Sequence, residues 1–108
     1  MPYYQTLATH SVAELSESEI GDLNFLLVCV SSTARALTRD SLAHILEHTV
    51  LVVVRRYDGV MSEVCAMGFM TPVHSASAYR MYVNDIAVSP QHRRQGLARE
   101  VVTTLLSY

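Results

Sequence analysis

Residues 84–98, Asn-Asp-Ile-Ala-Val-Ser-Pro-Gln-His-Arg-Arg-Gln-Gly-Leu-Ala, gather the residue types in this chain that are able to do chemistry. A carboxylate, Asp85, stands just ahead of the apolar run Ile86-Ala87-Val88. Ser89-Pro90 ends that run, since proline cannot donate to a strand ladder and fixes its own φ. Two guanidiniums, Arg93 and Arg94, then precede Gly96, and a helical apolar pattern begins at Leu97. Glycine at a helix start lets a ligand approach the backbone closely, and the N–H groups there favour an anion. The arginines add permanent positive charge beside those groups. The chemistry this spacing implies is recognition of a phosphate-bearing ligand at a strand–loop–helix junction. Other phosphate loops fit worse, because the chain has neither Gly-x-Gly-x-x-Gly nor Gly-Lys-Ser/Thr.

Arg93-Arg94-Gln95-Gly96-Leu97-Ala98 matches the Arg/Gln-x-x-Gly-x-Gly/Ala signature of the GNAT superfamily of N-acetyltransferases. Ile86-Ala87-Val88-Ser89-Pro90 resembles that family's fourth strand and its exit. The resemblance is sharp over about Tyr79–Tyr108 and rests upstream on the order of elements alone. It implies acetyl-CoA as co-substrate, with its pyrophosphate held by backbone N–H groups from Arg94 to Ala98 and with arginine side chains assisting. The cofactor-binding set it implies is Ile86, Ala87, Val88, Arg93, Arg94, Gln95, Gly96, Leu97, Ala98 and Arg99. The pantetheine arm is expected to pair with Ile86–Val88 like an extra strand. A backbone N–H near Ile86 or Ala87 would then polarise the thioester carbonyl, where charge develops in acyl transfer. Ile86 and Val88 also read as ordinary core strand.

Acceptor amines arrive as ammonium and must lose a proton before attack, and a carboxylate can take it. Asp85 is the candidate general base, and a strand-end hydrogen-bonding role stands beside that reading. Simple alternation puts Asn84 and Asp85 on opposite faces. The family often uses a tyrosine on a later helix as the acid. That helix is missing, so no residue takes the role, and Tyr79 and Tyr82 are not promoted to it. The implied activity is acetyl transfer to a primary amine, on a small molecule or a protein, by direct attack without a covalent acyl-enzyme. The alternative is a catalytically incomplete module that binds CoA or a partner. A third reading is an interaction protein that pairs an exposed strand edge with another chain.

The elements that must position these residues follow from periodicity. Tyr3–His10 reads as a first strand. Ser16-Glu-Ser-Glu19 is a capping box, followed by Ile20, Leu23, Leu27 and Val30 on one helix face. A second short helix starts at Thr38 or Asp40 and carries Leu42, Ile45 and Leu46. Val50–Val54 reads as a buried strand, Tyr57-Asp58-Gly59 as a turn, and Val64–Val73 as a strand with a bulge at Gly68. His74–Ser77 reads as a turn and Tyr79–Val88 as the next strand. Leu97, Val101 and Leu105 mark a helix lying on the sheet. The fold class is α/β, mixed α+β: a GNAT-like, mainly antiparallel sheet flanked by helices, in the order β-α-α-β-β-β-α. The family's C-terminal strands are absent. One wall of the usual cofactor cleft is therefore expected to be missing, with a homodimer or complementing chain at the exposed sheet edge.

The chain has 108 residues, half of them apolar, which suits one folded domain over residues 1–108. A net charge of −2 argues against nucleic-acid binding. Cys29 and Cys65 form no paired motif and are expected as reduced core residues. His44-Ile-Leu-Glu47-His48 matches His-x-x-Glu-His, but that pattern needs a further ligand and a larger scaffold. A short amphipathic helix explains it more simply, so no metal is expected. His10, His74 and His92 are expected on turns, His92 near phosphate. No leader or membrane-spanning run is visible, so a soluble, cytoplasmic protein away from membranes is expected.

Overall fold

A computed structural model describes residues 2–74 and 76–108. In chain order it contains β1 (Tyr3–Thr9), α1 (Glu17–Val30), α2 (Arg39–Leu46), β2 (Val50–Asp58), β3 (Met61–His74), β4 (Tyr79–Val88) and α3 (Leu97–Ser107). Short 3-10 turns at Val12–Glu14 and Pro90–His92 lead into α1 and toward α3. The element order and the mixed antiparallel class match the expectation. The sheet order is β1-β2-β3-β4, every neighbouring pair antiparallel.

The valine run sets the layering. Strand side chains alternate between faces, and here both faces are covered, so Val50–Val54 is buried throughout. Leu51 and Val53 pack with Leu23 and Leu26 of α1 and with Leu42 and Leu46 of α2. Val50, Val52 and Val54 pack with Leu97, Val101 and Leu105 of α3 on the opposite side. β2 continues to Asp58 and β3 begins at Met61, both longer than their apolar runs suggest, because ladder pairing carries on into the polar hairpin.

Local sequence fixes the helix starts. Ser16 and Glu19 form the reciprocal capping box, and Thr38 and Ser41 form a second one. The link between α1 and α2 is pinned twice. Asn24 donates to Leu37 O at 2.9 Å. The Arg39 guanidinium donates to Val12 O at 2.8 Å and to Leu15 O at 2.7 Å.

Four expectations change. The buried face of α1 is Ile20, Leu23, Leu26 and Leu27, and Val30, the last residue of the helix, is 46% exposed. Cys29 is also exposed, off the buried stripe of α1, while Cys65 is buried as expected. Ile45 is 38% exposed, at the rim of a cavity rather than in the core. His74 closes β3, and the turn expected after it includes Ser75, which lies outside the described residues. Among the described residues, no helix is long and apolar enough to cross a membrane.

Candidate active site

The site is built on an irregularity where β3 meets β4. Met67 pairs with Ala87 and Phe69 with Asn84, so Gly68 faces two residues, Asp85 and Ile86. The β4 strand thus carries a one-residue bulge, and Asp85 takes the left-handed conformation with φ 55°. Gly68 is required opposite it, since a Cβ there would lie 2.5 Å from Val101 Cγ1 and 3.3 Å from Ile86 Cγ1. The expected irregularity at Gly68 is real, with its extra residue on the neighbouring strand.

The bulge overturns the expectation that Asn84 and Asp85 point to opposite faces. Both line one cavity on the α1–α2 side of the sheet. Asn84 Nδ2 donates to Asp85 Oδ2 at 3.0 Å. Alternation fails because the left-handed residue reverses the side-chain sequence at that point.

The next residues of β4 enter a different space. A groove of about 450 Å³ is lined by the whole implied cofactor set except Gln95, together with Val30 from the end of α1. It runs along Ile86–Val88 on the edge strand, whose outer side no strand covers among the described residues. Its far end is the start of α3. Arg94 (φ 66°) and Gly96 (φ 77°) are both left-handed there, and no side chain caps the helix. The first helical N–H groups have no intrahelical acceptor, and a left-handed turn draws backbone N–H groups into an anion-binding concavity. Arg93, Arg94 and Arg99 surround it. A diphosphate with an extended amide arm fits this set of donors: charge and amides at one end, a free strand edge at the other.

The loop is braced from below. Ser89 N–H donates to Cys65 O at 2.8 Å. His92 is buried, with Nε2 2.9 Å from Glu63 Oε1 on β3. It lies on a turn, as expected, but its ring bonds to Glu63 and does not line the groove, so the expectation that it sits near phosphate is corrected. Burying an imidazole requires a partner, and Glu63 supplies it. The Tyr4 hydroxyl donates to Gln95 Oε1, so Gln95 reaches down to β1 rather than into the groove. Thr6 Oγ1 donates to Glu100 Oε1 at 3.2 Å, which holds that carboxylate on the β1 side.

The supports Tyr4 and Glu63 were not singled out in the sequence, and Val30 was read there as helix core rather than as a groove wall. Val30 was visible only as the last residue of the apolar stripe of α1. Tyr4 and Glu63 have no local signal, because their partners are 91 and 29 residues away. His44 and Glu47 lie 3.8 Å apart on the exposed end of α2. Among the described residues, no three His, Cys, Asp or Glu side chains converge as a metal site.

The backbone closely resembles several solved acetyltransferases. Glucosamine-6-phosphate N-acetyltransferase from Arabidopsis thaliana superposes with a TM-score of 0.72 at 14% identity, covering 97% of this chain and 73% of that one. An acetyltransferase from Trypanosoma brucei gives 0.69 at 16% identity, covering 99% and 73%. Ribosomal-protein-alanine N-acetyltransferase from Brucella melitensis gives 0.68 at 14%, covering 97% and 70%. Identities this low establish the fold alone. No curated protein sequence matches the chain significantly. The profile of the acetyltransferase (GNAT) family matches residues 22–108, which is most of the chain and spans both the bulged strand and the anion loop. With that match and this fold, the chain belongs to the GNAT family of acetyltransferases, whose general reaction is acetyl-CoA-dependent N-acetylation.

Proposed function

We propose that this chain transfers an acetyl group from acetyl-CoA to a primary amine by direct attack. The observation that carries the reading is the continuous groove from the free edge at Ile86–Val88 to the uncapped, arginine-flanked start of α3. Acetyl-CoA supplies an activated thioester, to whose carbonyl carbon the neutral amine adds as the C–S bond breaks and the thiol leaves. Arg93, Arg94 and Arg99, with the amides through Ala98, bind the diphosphate. A β4 backbone N–H at Ile86 or Ala87 stabilises the charge developing on the carbonyl oxygen. Asp85, one residue before the groove, takes the proton that the ammonium must lose. The cavity that Asp85 shares with residues of α1 and α2 supports an approach of the acceptor from that side.

A second reading, a module that holds CoA or a partner without turnover, draws on the uncovered outer edge of β4. Titration calorimetry with acetyl-CoA, then thiol release over a panel of amines, separates the two. Binding with turnover supports transfer, and binding alone supports the module. Arg93→Ala is expected to weaken CoA binding about tenfold, the loss of one charge-assisted contact. Asp85→Asn is expected to lower kcat/KM by about 10²-fold or more while CoA affinity holds. Unchanged CoA affinity in Arg93→Ala and Gly96→Val together removes the loop from the site.

A further inference from the structure

The cavity beside Asp85 has a composition unlike that of the groove. Leu27 of α1, Leu37, Ile45 of α2 and Phe69 of β3 form apolar walls around about 170 Å³. Two further polar residues, Thr49 and Thr71, share one hydroxyl–hydroxyl hydrogen bond at 3.2 Å. The carboxylate of Asp85 and the amide of Asn84 close the side facing β4. Among the described residues, no lysine, arginine or histidine lines the space. The groove's arginines enter only beyond Ile86, in the neighbouring compartment.

From this we infer that the cavity takes the acceptor, and that the acceptor is a primary amine on a short, uncharged, apolar body. The inference rests on the acyl-transfer reading and deepens it. Three physical points carry it. An ammonium entering the cavity meets a carboxylate that still has lone pairs to offer, since Asn84 engages only one of its two oxygens. A phosphate or carboxylate on the acceptor meets that same anion with no cation on the cavity wall to offset the like-charge repulsion. A polyhydroxylated body would set most of its hydroxyls against Leu27, Leu37 and Phe69, whose side chains offer no partner, with only the Thr49–Thr71 pair and the Asn84–Asp85 end able to bond any of them. Size agrees: drug-sized ligands occupy about 300–1,000 Å³, so this space suits one aliphatic or single-ring substituent. Leu37 is fixed to Asn24 by both backbone groups, so the wall is preformed.

Methyl and side-chain amide NMR of the protein, free and loaded with CoA, tests the inference without requiring turnover. Butylamine and phenylethylamine are the apolar probes, and glucosamine 6-phosphate and glutamate the anionic ones. The apolar amines are expected to shift the Ile45 methyl and Asn84 amide signals saturably, at least about tenfold more tightly than the anionic ones, the scale of one pocket mismatch. Ile45→Arg, at a position 38% exposed and so tolerant of change, is expected to reverse that order. Equal or tighter binding of either anionic amine overturns the inference. So do shifts confined to other residues, or an order unchanged in Ile45→Arg. Failure of acetyl-CoA to bind, with the amine shifts intact, would count against the acyl-transfer reading alone and leave the cavity's selectivity standing.

Discussion

Gly68 and Asp85 face each other across two strands, and each explains the other. Gly68 has no side chain because α3 presses on it, with Val101 Cγ1 and Leu105 Cδ1 filling the place of a Cβ. Gly68→Ala is expected to destabilise the fold by about 1–3 kcal/mol, the cost of overpacking a filled core, and urea denaturation measures it. Since Ile86 is the other atom set in contact, that substitution should also disturb the strand that lines the groove. The two cysteines make a second residue-scale test. Burial, with Glu63 nearby, pushes the Cys65 thiol up to about 11, whereas Cys29 is exposed on α1. A thiol-alkylating reagent at pH 8 should label Cys29 rapidly and Cys65 only on unfolding, as mass spectrometry of timed digests will show. The sequence placed both cysteines in the core because both have apolar neighbours along the chain. Around a helix, neighbours in sequence lie on different faces, and Cys29 falls on the outer one.

Between elements, the telling contacts are those made by β1. It lies at the far edge of the sheet from β4, yet its Tyr4 and Thr6 hold Gln95 and Glu100 at the start of α3. The loop there contains a non-glycine residue, Arg94, in the left-handed region, a conformation that persists only when its surroundings enforce it. The Tyr4–Gln95 bond and the His92–Glu63 pair are that enforcement. Tyr4→Phe and Gln95→Ala are each expected to weaken CoA binding about threefold to tenfold, and the double variant no more than either alone. Calorimetry of the four proteins decides it, and fully additive losses would show that the two residues act separately. This support was not legible in the chain. The capping boxes, the valine strand and the 97–101–105 stripe announce themselves locally, through propensity and period. A brace between residues 4 and 95 is a product of topology, and nothing in either neighbourhood advertises it.

For the whole molecule, one nearly buried ion pair ties the two halves of the α1 layer to the sheet. Arg55 on β2 binds Glu19 on α1, with side chains 14% and 13% exposed, and also reaches Glu14 O. Burial alone would raise the Glu19 pKa, but its bonds to Arg55 and to the Ser16 N–H outweigh that and hold it below the usual carboxylate range. The folded value lies below the unfolded one, so the stabilisation is full above the unfolded pKa and is lost as pH falls through the folded one. Glu19→Gln should cost about 2 kcal/mol at neutral pH, between exposed and fully buried pairs, and should flatten the acid limb of a Tm-versus-pH curve. The layered arrangement itself was legible, because apolar period and strand length determine which faces are buried. The position of the acceptor cavity was not, since it depends on the bulge. Val88 packs toward α3 and Ala87 toward α1, while Asn84 pairs with Phe69 on the α1 side. Counting by twos from Val88 would have put Asn84 under α3. One surplus residue shifts the parity of the strand, much as an added base shifts a reading frame. Its removal would leave a flawlessly alternating strand whose carboxamide and carboxylate no longer shared a chamber. Insertions and deletions between residues 83 and 87, rather than substitutions, are the changes that this architecture is least able to absorb.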